Sequence, residues 1–459
     1  MTTISSQTST IRAPLFFQRR FLPMWTALAL GAFTDNMLKQ ALSIALVFSV
    51  ISAPLISNDD ALPIIGSLFP IAMLLFSTIA GQLADKYETS FMFRRTKFAE
   101  FLLMILAAIG FLLGNSVILI LALFLMGAQS AFFSPVRTSA MPKYLRANEL
   151  VRGNAFCSGG LFVSVMLGIV IGGILIRQPN GSLIVSSILV TAALGGWLSI
   201  RAAPKSTANA PNLKIDWNGP VQALKLIEFV TSSRGILRPV LGVAWYWTVG
   251  ALVTVAVPLF VRDTLRGDET VITVMMALFA VGAAIGATAA SMLSKGRTGL
   301  GFSAVGAASA SIMTFAVYLI SSSYTPPTDG VLQNAAQFFH GWRSWFLAAA
   351  FLLASVSTSI FIVPLQAAVQ RRAPPDIRAR ILAANNMVNA AGAIIGSLLV
   401  LFVTRTPLDA VELFLAVGVA QAALTAYMVR RKSNVAEGLF DEMLLAEATP
   451  ELVDLPDEA

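Results

Sequence analysis

Three polar residues interrupt an apolar run in GAFTDNMLKQAL, residues 31–42. Asp35 and Lys39 stand four positions apart, on one face of a helix, with the acid before the base, the order that favours pairing. Asn36 beside them can both donate and accept hydrogen bonds. Leu22 to Val50 reads as one hydrophobic segment, so both charges fall near its centre, where each costs about 2.5–3.5 kcal/mol. Two arrangements offset that cost. One is an ion pair buried between helices, which fixes their register; the other is a polar cavity in which Asp35 attracts an ammonium or a proton. Arg137 is the second candidate, just after Pro135, where the fourth hydrophobic run is expected to break. Its guanidinium suits phosphate oxygens, which it can bind bidentately, and it suits equally a topogenic or inter-half salt-bridging role. Glu100, another acid within a run, is expected to pair with Lys97 or Arg95 at the membrane interface.

Composition limits the chemistry further. The chain of 459 residues is 56% hydrophobic and 12% charged, against about 25% charged for a soluble domain. A single cysteine, Cys157, excludes an internal disulfide, and a single histidine, His340, excludes a histidine-cluster metal centre. No nucleophile–base constellation stands out, so the protein is not expected to be an enzyme, and no cofactor or metal is expected. His340 falls in an exterior loop, 322–342, and reads as a surface residue. Phe338, Phe339, Trp342 and Trp345 around it read as an interfacial aromatic belt. Met275, Met276 and Met313 read as lipid-facing or core filler.

These residues must be positioned by membrane-spanning helices. A span needs roughly 20 apolar residues, and backbone in hydrocarbon must satisfy its own hydrogen bonds, so the fold class is an all-α membrane protein. Twelve runs qualify, near 22–50, 63–84, 97–114, 116–136, 153–176, 183–201, 239–261, 271–294, 300–321, 343–366, 381–404 and 409–429. Of the 32 basic residues, 26 fall on the side of the N-terminus, among them Lys86, Arg94, Arg95, Lys97 and Arg137. That asymmetry places both termini in the cytoplasm and accounts for the formal charge of +8 without nucleic acid. The opening residues, MTTISSQTSTIRAPLFFQRRF, lack a short apolar core with a small-residue cleavage site, so no signal peptide is expected.

The organisation follows: a six-helix half over 1–201, a cytoplasmic linker over 202–238, a second six-helix half over 239–430 and an acidic cytoplasmic tail over 431–459. The linker begins as APKSTANAPN and turns amphipathic in DWNGPVQALKLIEFV, with Val221, Leu224 and Ile227 opposite Gln222, Lys225 and Glu228. The tail reads as largely disordered. The halves repeat weakly: SPVRTSAMPKYLRANELVRGNAF after span four matches VPLQAAVQRRAPPDIRARILAANNM after span ten, pairing Pro135 with Pro364 and Asn154 with Asn385. Duplicated halves favour two pseudo-symmetric bodies rocking about a central cavity. The pairs Gly168/Gly172, Gly282/Gly286 and Gly392/Gly396 read as close-packing sites.

GQLADKYETSFMFRR resembles the loop 2–3 signature of the major facilitator superfamily, with Gly81, Asp85 and Lys86 in place and a longer stretch before Arg94 and Arg95. The resemblance implies that these five residues form a cytoplasmic latch between the halves. GAFTDNMLKQAL, GQLAD and AFFSPVRTSAMPKYL together resemble the lysophospholipid transporter family, through Asp35-Asn36 and the corner Ser134-Pro135-Val136-Arg137. A basic residue in helix seven, seen in parts of that family, is absent from 240–258. The resemblance implies a bacterial inner-membrane flippase for lysophosphatidylethanolamine or lysophosphatidylglycerol, working by alternating access. Substrate binding then falls to Asp35, Asn36, Lys39 and Arg137, and the implied partners are membrane lipids and a cytoplasmic lysophospholipid acyltransferase. An exporter of drugs or other amphiphiles fits the same residues, and a non-transporting sensor or scaffold fits less well.

Overall fold

The computed structural model describes residues 15–52, 58–146, 149–208, 210–218, 221, 228, 234–294, 300–326, 331–372, 378–406 and 409–447. Among them are twelve long helices. The first six are α1 (Leu22–Val47), α2 (Asn58–Lys86), α3 (Thr89–Leu112), α4 (Ser116–Tyr144), α5 (Leu150–Leu175) and α6 (Gly181–Arg201). The second six are α7 (Arg234–Asp263), α8 (Glu269–Ser294), α9 (Leu300–Ser322), α10 (Trp342–Arg372), α11 (Arg378–Thr404) and α12 (Ala410–Glu447). Each corresponds to one hydrophobic run. Ten are long and apolar enough to cross a membrane by length and composition; the other two are α1, which carries Asp35 and Lys39, and α3, which carries Lys97 and Glu100.

Two local expectations are corrected. Pro135 does not break α4, which runs on to Tyr144. A helix in hydrocarbon keeps its ladder because neighbouring helices and serine side chains satisfy the backbone groups that proline frees. The tail is not disordered throughout: α12 continues to Glu447. The span has already nucleated the helix, and SNVAEGLFDEMLLAE extends it with good helix formers. Residues 448–459 and most of the amphipathic segment, including Gln222, Leu224, Lys225 and Ile227, lie outside the described residues.

Packing repeats between the halves. α1 packs on α5 as α7 does on α11, α2 on α4 as α8 on α10, and α3 on α6 as α9 on α12. Glycine permits the closest of these approaches. A Cβ on Gly172 would stand 2.5 Å from the Met37 carbonyl oxygen of α1, and one on Gly396 would strike the Thr248 carbonyl of α7. Because backbone cannot move aside, only glycine fits at these two equivalent crossings.

The halves meet along α2–α11 and α5–α8, and their apolar cores show where the join is tight. Towards the face opposite the basic loops, one continuous core combines Leu38, Leu42 and Ile65 with Leu252, Leu259 and Val271. Towards the basic face the core divides, with Phe21, Phe93 and Tyr144 in the first half and two small clusters, around Val240 and around Phe361, in the second. Polar links reinforce the closed side. Arg177 pairs with Glu269, Arg405 Nη2 lies 3.2 Å from Asp60 Oδ2, and Arg262 Nη1 donates to Val47 O at 3.1 Å. On that side His340 is exposed, as are Trp342 and Trp345; Phe338, expected in the interfacial belt, is instead buried against Tyr324 and Phe339.

Candidate functional site

The charged residues within the spans converge from three helices of the first half. α1 presents Thr34, Asp35 and Lys39, α3 presents Lys97 and Glu100, and α4 presents Gln129, Phe133 and Arg137. The tightest contact joins Lys97 Nζ to Glu100 Oε2 at 2.7 Å, with side-chain exposures of 1% and 3%. Thr34 Oγ1 donates to Glu100 Oε1 at 3.5 Å, and Gln129 Nε2 donates to Glu100 Oε2 at 3.3 Å. The Phe133 ring lies 4.6 Å from Lys97 Nζ. α1 makes room with Gly31, where a Cβ would collide with the Lys97 ammonium.

The expected pairing of Glu100 with Lys97 therefore forms, but deep within the bundle and not at the interface. Lys97 is correspondingly not a solvated topogenic charge. Helix α3 packs this face against α1 and α4, which enclose both groups, and burial is affordable only because the charges neutralise each other. Thr34 and Gln129 are the site-forming residues that sequence reasoning did not single out, and Lys97 was named only as one of two interfacial partners for Glu100. The three-residue spacing of Lys97 and Glu100 was the available signal; nothing local marks Gln129.

Asp35 stands next to this cluster, with Lys39, Lys97 and Arg137 as the cations within its electrostatic reach. No ion pair within 4 Å joins Asp35 and Lys39 among the described residues. Lys39 Nζ instead sits 3.6 Å from the centroid of the Phe69 ring on α2, and Asp35 Oδ1 is buried without a hydrogen-bond partner. Asn36 points differently: its amide donates to Ala32 O at 2.8 Å, and its Cβ faces Gly168 at the α1–α5 crossing. Arg137 is exposed to solvent near the basic end of α4. It lies within electrostatic reach of Asp35 and Cys157.

The basic face carries the five residues expected to form a latch. Asp85 closes α2 and lies within reach of Lys143 of α4, while its backbone oxygen accepts from Ala210 N at 2.8 Å. Arg94 Nη2 donates to Ala203 O at 3.2 Å, Arg95 is exposed, and Gly81 has open space before it. Lys86 ends α2, partly exposed. The stretch after α6, expected to be a plain linker, is fastened across this face of the first half. Tyr144 Oη donates to Pro204 O (3.2 Å), Lys143 Nζ to Thr207 O (2.7 Å), Ser206 N to Glu88 Oε1 (2.9 Å), and Asp216 N to Gln82 Oε1 (2.7 Å). Hydrogen bonds from Ser90 and from the Ser206 amide hold the Glu88 carboxyl below its usual range.

Twelve helices in two repeated halves, joined on one face and divided on the other, around a sparse set of intramembrane charges, define a polytopic membrane protein. The profile of the Major Facilitator Superfamily matches residues 28–397, and the chain belongs to that superfamily. Among curated proteins it is similar to the lysophospholipid transporter LplT of Salmonella arizonae, 24% identical over 356 residues, 76% of this chain and 79% of that protein. It is also 26% identical to LplT of Pectobacterium carotovorum over 276 residues, 57% of this chain and 62% of that protein. The chain thus spans less than two thirds of the length of the latter. Among solved structures, a peptide transporter POT in complex with sulfate shares the fold at a TM-score of 0.69 and 13% identity, covering 90% of this chain and 94% of that one. A D-xylose-proton symporter does so at 0.66 and 12%, covering 89% and 97%.

Proposed function

We propose that the protein moves lysophospholipids from the outer to the inner leaflet of a bacterial cytoplasmic membrane by alternating access. The observation that carries this reading is the convergence of Asp35 and Arg137, opposite charges from α1 and α4, neither with an ion pair within 4 Å among the described residues. A zwitterionic head fits such a site: its phosphate meets the Arg137 guanidinium, and its ammonium meets Asp35. The single acyl chain needs only apolar helix surface, which suits a bundle with few polar side chains. The names of the LplT relatives point the same way.

The basic face is the cytoplasmic one by loop charge, so a core continuous on the opposite face and divided on the basic face corresponds to a cavity open inward. Exchange to the outward-facing state then requires separation of Arg177 from Glu269 and of Arg405 from Asp60. On the cytoplasmic side Asp85, near the end of α2, engages the other half in turn. A cytoplasmic acyltransferase is the partner that would consume the delivered lysolipid.

The test follows uptake of labelled lysophosphatidylethanolamine into spheroplasts carrying wild type, Asp35→Ala or Arg137→Ala. Both variants are expected to lose at least tenfold in rate. Wild-type uptake equal to that of empty membranes sinks the proposal, and uptake of unrelated cationic amphiphiles in its place favours an exporter. Normal transport by Asp35→Ala assigns that carboxylate a purely structural role.

A further inference from the structure

A groove of about 460 Å³ opens on the outer flank of the first half, between the start of α3 and the end of α6. Arg94 and Arg95 line it from α3 and Arg201 from α6, around Phe98 and Trp197. Aromatic rings lie beside two of the guanidiniums. Arg201 lies over Trp197 at 5.3 Å and Arg95 over Phe91 at 5.2 Å. Trp197 is itself fixed, 5.0 Å from Phe98 and stacked on Phe101 at 5.9 Å. A guanidinium attracted to a ring in this way keeps N–H donors for oxygen anions.

None of the three arginines has an ion-pair partner among the described residues. Glu88, the carboxylate within electrostatic reach of Arg94, forms no ion pair with it within 4 Å and accepts instead from Ser90 Oγ at 2.5 Å and Ser206 N at 2.9 Å; one carboxylate leaves the groove with a net positive charge. Arg94 spends Nη2 on Ala203 O, but its Nε is buried without any partner. Three like charges and an unsatisfied buried donor in one groove call for an anion with several acceptor oxygens. The surroundings say which anion. Leu102 follows Arg95 and Phe98 on one face of α3, and Leu198 precedes Arg201 on α6; both leucines are 48% exposed within membrane-spanning helices, where such a side chain meets acyl chains.

We propose that this groove binds the phosphodiester headgroup of an anionic membrane phospholipid, whose chains lie along Leu102 and Leu198. The lipid is a resident ligand on the outside of the bundle. Basic pockets between helices on the cytoplasmic side are suited to such headgroups, whereas a zwitterionic lipid brings no net charge to offset the three arginines.

The full chain, purified in detergent, is titrated with phosphatidylglycerol or phosphatidylcholine and bound lipid is counted by native mass spectrometry. Wild type is expected to retain one phosphatidylglycerol in preference to phosphatidylcholine. Each arginine removed is expected to weaken this about fivefold, so Arg95→Gln/Arg201→Gln loses more than tenfold. Arg201→Lys, which keeps the charge without the planar fork, falls between. Lys214→Gln/Arg430→Gln removes as much charge elsewhere on the basic face and is expected to bind as wild type. An equal loss in that control, or undiminished binding in Arg95→Gln/Arg201→Gln, overturns the proposal. So does displacement of the lipid by inorganic phosphate at equal concentration, which would mark a site for a free anion. If Arg95→Gln/Arg201→Gln melts below wild type in lipid-free detergent, Arg201→Lys alone decides.

Discussion

Replacing Lys97 by methionine removes one member of an ion pair that lies almost wholly out of solvent, with 2.7 Å between Nζ and Oε2. Taking one charge from such a pair strands the other, and this costs about 3–5 kcal/mol. Glu100 would retain only Thr34 and Gln129 as donors, at 3.5 and 3.3 Å. Removing both charges in Lys97→Met/Glu100→Gln leaves neither partner of the pair charged and alone, and the glutamine oxygen can still accept from Gln129 while its amide nitrogen donates to the Thr34 hydroxyl, which itself donates to Gly31 O. The double variant is therefore expected to regain most of the loss. The assay is thermal unfolding of detergent-purified wild type, both single variants and the double. A drop on the order of 5–10 °C is expected for Lys97→Met, with the double within a few degrees of wild type. The reasoning is refuted if Lys97→Met costs less than about 1 kcal/mol, as an exposed pair would. It is equally refuted if the double variant is no more stable than the single.

Gly172→Ala places a methyl group against the Met37 carbonyl of α1, and a loss of about 1–3 kcal/mol is expected, read as a lower melting temperature. Arg20 and the Arg146 amide hold the Glu149 carboxyl down at about 2, against an ordinary 4.5. Its contribution is therefore complete above about pH 4.5 and lost as pH falls towards 2. Melting curves across that window should show the loss in wild type and a flatter acid limb in Glu149→Gln. Glu269→Gln breaks the Arg177 link on the closed face, and since partly exposed pairs contribute about 0.2–1 kcal/mol, the outward-open population should rise up to about fivefold. Labelling of a cysteine introduced on the cavity side of that face reads this out, and unchanged labelling would remove the pair from the gate.

The run lengths were enough to locate the twelve long helices, because hydrocarbon demands apolar helices of at least a minimum length. Asp35 and Arg137 were legible for the same reason: a charge in an apolar run stands out whatever its neighbours. The small-residue pairs were legible too, since spacing alone puts Gly168 and Gly172 on one face. What sequence left open was which charges meet. Lys97 and Arg95 were equal partners for Glu100 at the membrane interface, and only the packing of α1 and α4 against α3 selects Lys97 and encloses the pair. Lys39 stood in the order that favours pairing with Asp35, yet the fold gives its ammonium the face of Phe69. The stretch 202–216 carries no pattern that marks it as bound, because its partners, Gln82, Glu88, Lys143 and Tyr144, lie far away along the chain. The period and polarity of a segment settle whether it becomes a helix in lipid. The partner of a buried charge is settled by which helices share a face, and that depends on contacts between residues distant in sequence.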